Sequence, residues 1–341
     1  MKVLENLTIG IIGVGRIGRL HIENLIRFPQ VKIKTISDIF IDDVKKWAQP
    51  IGIEHVTTDY HEIIADPHIQ AVFICSPTTT HAQIIKESAL AGKAIFCEKP
   101  LSFSVAETEE VLNVVKETGV KLQIGFNRRF DHSFQKVKET VEKGIIGETH
   151  LLKITSRDPE PPGKDYIKNS GGMFMDMSIH DFDMARYLID SEVEEVYVQG
   201  ASLIDPIFKE LWDVDTAIIV LKFANGTIGV IDNSRKAVYG YDQRVEVFGS
   251  KGAVSFENDL PTRAVISTAD GVISEKPKYF FLERYEEAYV KEIQSFLEVV
   301  MENKDIICNG NDGLQAEYIA KAAKLSLETG QPLKVKDVVE I

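Results

Sequence analysis

Apolar and polar positions divide the chain into two regions of different texture. In the first region, short apolar or alternating segments rich in β-branched residues are separated by stretches whose apolar positions recur at helical spacing. This alternation predicts an α/β domain with a doubly wound parallel sheet over residues 1–125. The predicted strands are residues 9–12, 31–38, 71–75, 94–97 and 121–125.

After about residue 150 the pattern changes to strands joined by short turns. Asn225 and Gly226 give the clearest hairpin signal, because this pair favours the tight turn of an antiparallel hairpin. We therefore expect an α+β domain over residues 126–341, with a large, mostly antiparallel open sheet. Its predicted strands are 148–157, 193–201, 216–223, 227–235, 244–248 and 253–256, and its predicted helices are 173–188, 286–302 and 313–329.

A glycine motif follows the first predicted strand. Gly13, Gly15 and Gly18 form G-x-G-x-x-G between a strand and a helix, the context in which this pattern marks a dinucleotide-binding turn. The three glycines would allow a tight turn, close approach of a pyrophosphate, and close packing of the helix on the strand. Arg16 and Ile17 open the helix, whose N-terminus favours phosphate groups. The alternative is an ordinary glycine turn.

Asp38 ends the second predicted strand. It lies 20 residues after Gly18, where the dinucleotide-binding pattern has an acidic residue that accepts hydrogen bonds from the adenosine ribose. The next Lys or Arg is Lys45, so no nearby cation would bind a 2′-phosphate. The motif therefore predicts NAD, rather than NADP, as the cofactor.

Polar segments follow two later strands. Ligands of such sheets bind beyond the carboxyl ends of the strands, so these segments should lie at the same end as the glycine turn. We expect cofactor contacts from Ser76, Thr78 and His81 after one strand and from Glu98 after the next. Lys99 could hydrogen-bond a substrate hydroxyl and stabilise alkoxide charge. A plain surface lysine is the alternative.

One predicted helix of the second region carries three polar residues on one face. Asp176, His180 and Asp183 are related by i,i+4 and i,i+3 spacing. Two flanking carboxylates can hold an imidazole in one tautomer and raise its pKa, which suits a base that accepts a proton from an alcohol. A solvated helix face is the alternative. We expect no metal, because no third ligand follows at metal spacing.

Composition narrows the class of protein. The 341 residues suggest about two domains, and the hydrophobic content of 44% is that of an ordinary soluble protein. The net charge of −13 disfavours a nucleic-acid partner. We expect neither a membrane span nor a signal peptide, because the required apolar segments are missing from the sequence. The three cysteines fit no metal or disulfide spacing. These features favour a cytoplasmic protein.

The glycine motif, Glu98-Lys99-Pro100, and the segment from Gly171-Gly172 to His180 together resemble the Gfo/Idh/MocA oxidoreductases. The resemblance spans nearly the whole chain. Segments 127–131, 178–183 and 237–244 are similar to the inositol 2-dehydrogenase branch. The resemblance implies a Rossmann domain, an NAD-linked oxidation of a cyclic polyol, and a C-terminal sheet that serves oligomerisation, often into tetramers.

The resemblance also implies roles for individual residues. Lys99, Asp176 and His180 would form the catalytic group, with His180 as the general base. Asp158 stands in a loop where some inositol dehydrogenases carry Asn, which makes it an expected substrate ligand and leaves the inositol isomer open. The residues that would bind substrate hydroxyls are Arg129, Asp158, Asp183 and Tyr241.

The expected reaction is NAD-dependent oxidation of myo-inositol at C2 to 2-keto-myo-inositol (scyllo-inosose), with hydride transfer to the nicotinamide and the proton passing to a histidine base. One alternative is another sugar or polyol dehydrogenase of the same family, acting on scyllo-inositol or an aldose. A second is a non-catalytic regulator that binds the dinucleotide. We expect a homotetramer assembled through the C-terminal sheet, and the favoured direction of the reaction stays open.

Overall fold

The computed structural model describes residues 6–53 and 55–339, which form two compact units. The first unit runs to Asn127 and takes up Glu287–Gln315 later in the chain. The second unit is Arg128–Glu286 together with the described residues from Ala316 onward. The second compact unit thus begins two residues later than the expected domain, 126–341, and residues 287–315 belong to the first unit.

The first unit contains a six-stranded parallel sheet in the order β3-β2-β1-β4-β5-β6. This is the strand order of a Rossmann fold, and the five predicted strands are confirmed. The additional strand, β3, has only three residues, too few for a periodic pattern. The strands are β1 Leu7–Ile12, β2 Val31–Ser37, β3 His55–Thr57, β4 Ala71–Ile74, β5 Ala94–Glu98 and β6 Leu122–Gly125. The helices are α1 Arg16–Leu25, α2 Ile41–Ala48, α3 His61–Ala65, α4 His81–Leu90 and α5 Val105–Thr118.

The second unit contains a seven-stranded sheet in the order β12-β11-β7-β10-β9-β8-β15. Only β7 and β10 pair in parallel, so the prediction of a mostly antiparallel sheet is confirmed. The strands are β7 Thr149–Arg157, β8 Val193–Ala201, β9 Thr216–Phe223, β10 Ile228–Ser234, β11 Asp242–Gly249, β12 Gly252–Phe256 and β15 Leu333–Lys334, and β13 Val265–Thr268 and β14 Gly271–Ser274 form a separate hairpin. The helices that follow α5 along the chain are α6 His132–Glu142, α7 Lys164–Asn169, α8 Ile179–Ile189, α9 Pro206–Glu210, α10 Phe281–Arg284, α11 Glu286–Met301, α12 Gly310–Thr329 and α13 Val335–Val339.

Helix α11 returns to the first unit because its apolar face completes the core of that unit. Ile293, Phe296 and Leu297 are buried in the same cluster as the apolar side chains of the parallel sheet. The Phe73 ring stacks on Phe96 at a centroid distance of 4.7 Å and meets Phe296 edge-on at 5.2 Å. This packing between distant segments determines which unit the helix joins, and no local sequence pattern encodes it.

The hairpin predicted at Asn225 and Gly226 joins β9 to β10. Gly226 has a φ of 89°, a left-handed conformation that glycine adopts without strain. The two strands pair from Ile228 with Lys222 to Ser234 with Thr216. Across residues 6–53 and 55–339, no helix is both long and apolar enough to cross a bilayer.

Candidate active site

The glycine turn joins β1 to α1 with very little free space at two of its three glycines. A Cβ on Gly13 would lie 2.4 Å from the backbone nitrogen of Ser76, and one on Gly18 would lie 2.1 Å from the carbonyl oxygen of Gly13. At Gly15, the N-cap of α1, a Cβ would meet no atom within 4 Å. The turn therefore needs glycine for packing at two positions and leaves open space in front of the third.

The N-terminus of α1 has the properties of an anion site. Its first turn, which begins with Arg16 and Ile17, contains no acidic residue, and Gly15 supplies no side-chain cap for the helix N–H groups. Uncapped N–H groups and the positive end of the helix dipole both favour a phosphate. Together with the open space at Gly15, this geometry fits the pyrophosphate of a dinucleotide.

Asp38 lies directly after β2, close to the glycine turn. Its carboxylate accepts hydrogen bonds from the backbone N–H of Val14 at 2.7 Å and of Phe40 at 2.8 Å. Each carboxylate oxygen keeps further lone pairs, so the side chain can still accept hydrogen bonds from a ribose. The turn and the acid are thus coupled through Val14, a link that the spacing of the motif does not reveal.

The loop after β4 is held together by its own side chains. Ser76 and Thr80 share a hydroxyl hydrogen bond of 2.7 Å, and Thr78 begins a single 3₁₀ turn, Thr78–Thr80. His81 is buried, with Nδ1 2.7 Å from the Pro100 carbonyl oxygen and Nε2 2.8 Å from that of Ser76. Burial lowers the pKa of His81, while the two carbonyl contacts act in the opposite direction.

This geometry corrects one expectation. Both ring nitrogens of His81 already face backbone carbonyls, so the ring does not have the free nitrogen that a cofactor contact would need. His81 instead links the loop after β4 to Pro100, beyond the end of β5. Its role in the structure is to position these two loops.

Glu98 and Lys99 stand where β5 ends. The Glu98 carboxylate accepts a hydrogen bond of 2.7 Å from Nε2 of the buried His21, and its side chain is 15% exposed. A Cβ on Gly125 would lie 3.0 Å from the Glu98 carboxyl, so the neighbouring strand leaves room for this side chain by carrying glycine. Lys99 is half-buried and precedes a cis peptide bond to Pro100.

In the second unit, the predicted helix over residues 173–188 is divided. A π-helical turn, Phe174–Ser178, precedes α8, and such turns are frequent at functional sites. The Met173 N–H donates to the Asp213 carboxylate at 3.0 Å, and the Ser178 hydroxyl donates to the side-chain oxygen of Asn233 at 2.6 Å. These two contacts fix the segment that carries Asp176 and leads into His180.

Asp176 is held by two side chains that the sequence analysis missed. The Tyr166 hydroxyl donates to its Oδ1 at 2.8 Å, and Nη2 of Arg235 donates to its Oδ2 at 2.9 Å. The Arg235 guanidinium also reaches Asp158, from Nη1 to Oδ2 at 3.2 Å. Burial opposes the charge on Arg235, but the carboxylates of Asp176 and Asp158 raise its pKa above the usual range.

Asp183 forms an ion pair with Arg129. Arg129 donates to its carboxylate through Nε and Nη2, the latter at 2.6 Å, and the Asp183 side chain is fully buried. The Arg129 guanidinium also lies over the Tyr187 ring, 5.1 Å from its centroid. Asp183 therefore orients Arg129 and has no exposed atom for a ligand. Each of the two carboxylates expected beside His180 therefore has a guanidinium partner.

Tyr241 belongs to a buried polar network. Its hydroxyl lies 3.4 Å from Nη2 of Arg128, and burial raises its pKa well above the usual value. Arg128 also forms a buried ion pair with Asp181. Asp181 in turn accepts from the side-chain amide of Asn233 at 2.8 Å, so the network extends to the residue that anchors Ser178. The remaining members are Ser156, Gln243 and Tyr285.

Three residues of these polar clusters were not identified from the sequence, and only one of them stands in a sequence pattern that marks it. Arg235 and Tyr166 contact Asp176 only because β10 and α7 fold next to the π-helical turn, so nothing in their own segments marks them. Glu292 was detectable, since it occupies a core position between the buried Tyr289 and Phe296 of an apolar helix face. A charged residue at such a position is uncommon and marks a buried polar cluster.

Comparisons with known proteins agree with this architecture. Residues 7–126 match the description "Oxidoreductase family, NAD-binding Rossmann fold", and residues 134–255 match "GFO/IDH/MocA C-terminal domain". The chain belongs to the GFO/IDH/MocA oxidoreductase family, and its first unit contains the NAD-binding Rossmann domain.

Individual relatives cover almost the whole chain. It is 58% identical over 337 residues, 99% of both chains, to Uncharacterized oxidoreductase YrbE of Bacillus subtilis (strain 168). It is 46% identical over 333 residues, 98% of this chain and 100% of the relative, to Myo-inositol 2-dehydrogenase of Thermotoga maritima. Among solved structures, scyllo-inositol dehydrogenase from Lactobacillus casei with bound NAD(H) and scyllo-inositol matches with a TM-score of 0.90 at 29% identity, covering 97% of this chain and 99% of that chain.

Proposed function

We propose that this protein is an NAD-dependent inositol 2-dehydrogenase that oxidises myo-inositol at C2 to 2-keto-myo-inositol. The proposal is supported by the similarity to a myo-inositol 2-dehydrogenase along nearly the full length of both chains. It is supported independently by the chemistry of the second unit, whose polar side chains suit a neutral polyol.

The observation that carries the proposal is the pairing of charges around the π-helical turn. Arg235 forms ion pairs with Asp158 and Asp176, and Arg129 forms one with Asp183. A site with paired charges offers hydrogen-bond donors and acceptors without a large net charge. Such a site favours a ligand with many hydroxyl groups and no ionised group, because an unpaired charge on the ligand would lose its hydration without compensation.

In the proposed reaction, His180 accepts the proton of the C2 hydroxyl as the general base. Lys99 donates a hydrogen bond to the same oxygen and stabilises the charge that develops there. Asp176, oriented by Tyr166 and Arg235, completes the catalytic group. When bound, NAD supplies the acceptor for the hydride that leaves C2.

The remaining hydroxyls would contact side chains of the second unit. Arg129 and Tyr241 offer N–H and O–H donors, and Asp158 offers a half-buried carboxylate as an acceptor. Asp183 acts through Arg129, because its own oxygens are enclosed.

The glycine turn and the strand ends of the first unit would hold the cofactor. Backbone N–H groups at the start of α1 would bind the pyrophosphate, and Asp38 would accept hydrogen bonds from the adenosine ribose. The residues assigned to the cofactor are Gly13, Gly15, Arg16, Ile17, Gly18, Asp38, Ser76, Thr78 and Glu98.

The experiment is a substrate panel with purified protein and NAD. NADH formation is measured with myo-inositol, scyllo-inositol, glucose and xylose, and the product is identified by NMR. We expect the highest kcat/KM with myo-inositol, and myo-inositol deuterated at C2 should react more slowly and transfer the label to NADH. A higher kcat/KM with glucose or xylose than with either inositol would refute the proposal. Binding of NADH without turnover of any polyol would favour a regulator.

We also propose that the seven-stranded sheet joins copies of the chain into a homotetramer. One face of this sheet exposes a contiguous apolar group, and exposed apolar patches of this kind mark interfaces. The exposed apolar side chains are Leu151, Ile218, Val220, Ile228 and Phe248. Light scattering after size exclusion should give the tetramer mass, and I218K/V220K should lower it. A monomeric wild type would refute this assembly.

A further inference from the structure

Three ionisable side chains meet in the core of the first unit. His21 from α1, Glu98 from the end of β5 and Glu292 from α11 each place one nitrogen or oxygen atom within 4.8 Å of the others. His21 and Glu292 are completely buried, whereas the Glu98 side chain keeps 15% of its surface exposed. The cluster therefore runs from the core to the end of the parallel sheet.

The surroundings of His21 are aromatic. Its ring lies 5.0 Å from the centroid of Phe96, 5.8 Å from Phe73 and 5.9 Å from Tyr289. In such apolar packing an isolated charge is costly. The hydrogen bond of 2.7 Å between Nε2 of His21 and Oε1 of Glu98 compensates the carboxylate of Glu98, but it does nothing for that of Glu292.

Neither carboxyl oxygen of Glu292 has a hydrogen-bond partner within the described part of the chain. The charged or titratable groups that face it are Glu98 and His21, with Cys75 at the end of β4. Burial, followed by the nearby charge of Glu98, raises the pKa of Glu292 well above its usual value. Burial likewise raises the pKa of the Cys75 thiol, so Cys75 adds no charge. An ionised Glu292 would have two costs, lost hydration and repulsion from Glu98, and neither is offset.

We propose that Glu292 is a neutral carboxylic acid that acts as a positioning residue, directing its proton toward Glu98 and fixing that carboxylate at the end of β5. Glu98 is then held by the His21 ring and by the acid of Glu292, in the space that Gly125 leaves on the neighbouring strand. The inference rests on the proposed contact between Glu98 and the cofactor. It is independent of which polyol is oxidised.

The same three side chains also have the chemistry of a divalent-cation site, since imidazole and carboxylates are common zinc ligands. A bound cation and a protonated Glu292 exclude each other. A cation would require the carboxylate form of Glu292, whereas the proposed hydrogen bond to Glu98 requires the neutral acid. The state of the Glu292 carboxyl therefore decides between them.

The direct test is infrared spectroscopy of the purified protein at neutral pH. A protonated carboxyl has a C=O stretch that is separate from the carboxylate and amide bands. We expect this band in the wild type, its loss in E292Q, and its retention in E287Q, a control that changes an exposed carboxylate on the same helix. Absence of a band that depends on Glu292 would overturn the proposal, as would one equivalent of tightly bound metal by elemental analysis.

The positioning role is tested by NADH affinity, measured by fluorescence from pH 6 to pH 9. Gln keeps a neutral hydrogen-bond donor toward Glu98, whereas Leu fills similar space without one. We expect E292L to bind NADH at least fivefold more weakly than E292Q at neutral pH. In the wild type, affinity should decline at alkaline pH as Glu292 ionises, and in E292Q this decline should disappear.

Equal NADH affinities of E292L and E292Q, with the same pH dependence as the wild type, would overturn the positioning role. The E98Q variant separates this failure from failure of the cofactor assignment. If E98Q weakens NADH binding while both Glu292 variants do not, the contact of Glu98 stands and Glu292 has no part in it. If E98Q binds NADH normally, Glu98 itself is not a cofactor residue and the inference falls with it.

Discussion

Arg235 and Asp176 are joined by a hydrogen bond of 2.9 Å between Nη2 and Oδ2, and their side chains are only 4% and 10% exposed. The same guanidinium donates to Asp158, so one cation compensates two carboxylates. None of the sequence motifs includes Arg235. It nevertheless determines the charge and the orientation of a proposed catalytic carboxylate.

Replacing Arg235 should therefore damage both stability and activity. R235M removes the cation that Asp158 and Asp176 share, and breaking a buried ion pair costs roughly 3–5 kcal/mol. We expect a matching loss in the free energy of unfolding, measured with urea, and a lower kcat/KM for myo-inositol. R235K, which keeps the charge but loses the two-pronged geometry, should be intermediate. R263M at an exposed arginine is the control, and equal behaviour of R235M and R263M would contradict the assigned role.

Asp38 should determine the choice of cofactor. A 2′-phosphate beside this carboxylate places like charges together, which costs several kcal/mol, so the wild type should strongly prefer NAD. D38S should raise the KM for NAD and reduce the preference over NADP by about tenfold or more. Steady-state kinetics with both cofactors measure this ratio. D42S, at an exposed neighbouring acid, should leave it unchanged, and an unchanged ratio in D38S would exclude Asp38 from the ribose site.

Substitution by alanine should affect stability at Gly18 and cofactor binding at Gly15. At Gly18 the new Cβ would meet the Gly13 carbonyl oxygen at 2.1 Å, so G18A should lose about 1–3 kcal/mol of stability through overpacking. At Gly15 the Cβ enters open space, so G15A should fold like the wild type and bind NAD more weakly. Thermal unfolding and NADH titration measure the two effects. A G15A variant with unaltered NADH affinity would show that the open space is not the pyrophosphate site.

His180 should be essential for oxidation but not for cofactor binding. H180A should lower kcat by about 10² to 10⁴, the usual contribution of a positioned base. Because a base must be neutral to accept a proton, wild-type oxidation should fall at acidic pH, and this limb should be missing from the residual rate of H180A. NADH affinity should survive, since the glycine turn and Asp38 belong to the other unit. Near-normal kcat in H180A would leave His180 as a helix-face residue.

Glu292 gives a stability prediction with a definite sign. Its pKa is raised by burial in the folded state, so above the ordinary carboxyl pKa the folded protein keeps a proton that the unfolded chain has released. The contribution of Glu292 to stability should therefore fall as pH rises, by about 1.4 kcal/mol per pH unit, until the folded-state pKa is reached. E292Q carries no such proton. Its advantage over the wild type should grow from acidic toward neutral pH in urea unfolding, and an advantage independent of pH would contradict a neutral Glu292.

The sequence by itself determined the parts of this protein that local patterns encode. Apolar periodicity located the strands of both sheets, and Asn225-Gly226 marked the hairpin between β9 and β10. The glycine motif and Asp38 indicated a dinucleotide site, because strand, turn and helix are consecutive there. Each of these signals lies within a short segment, where backbone preference and side-chain spacing suffice.

Only the tertiary structure decided how the charges are paired. Arg235 is 59 residues from Asp176 and 77 from Asp158, and Arg129 is 54 from Asp183, so no spacing rule connects them. The π-helical turn also escaped prediction, since apolar spacing assumes a regular helix. Whether a carboxylate is exposed, paired or protonated depends on which distant segments pack around it. Burial of Asp183 and of Glu292 is therefore a property of the folded chain, which no local pattern of the sequence encodes.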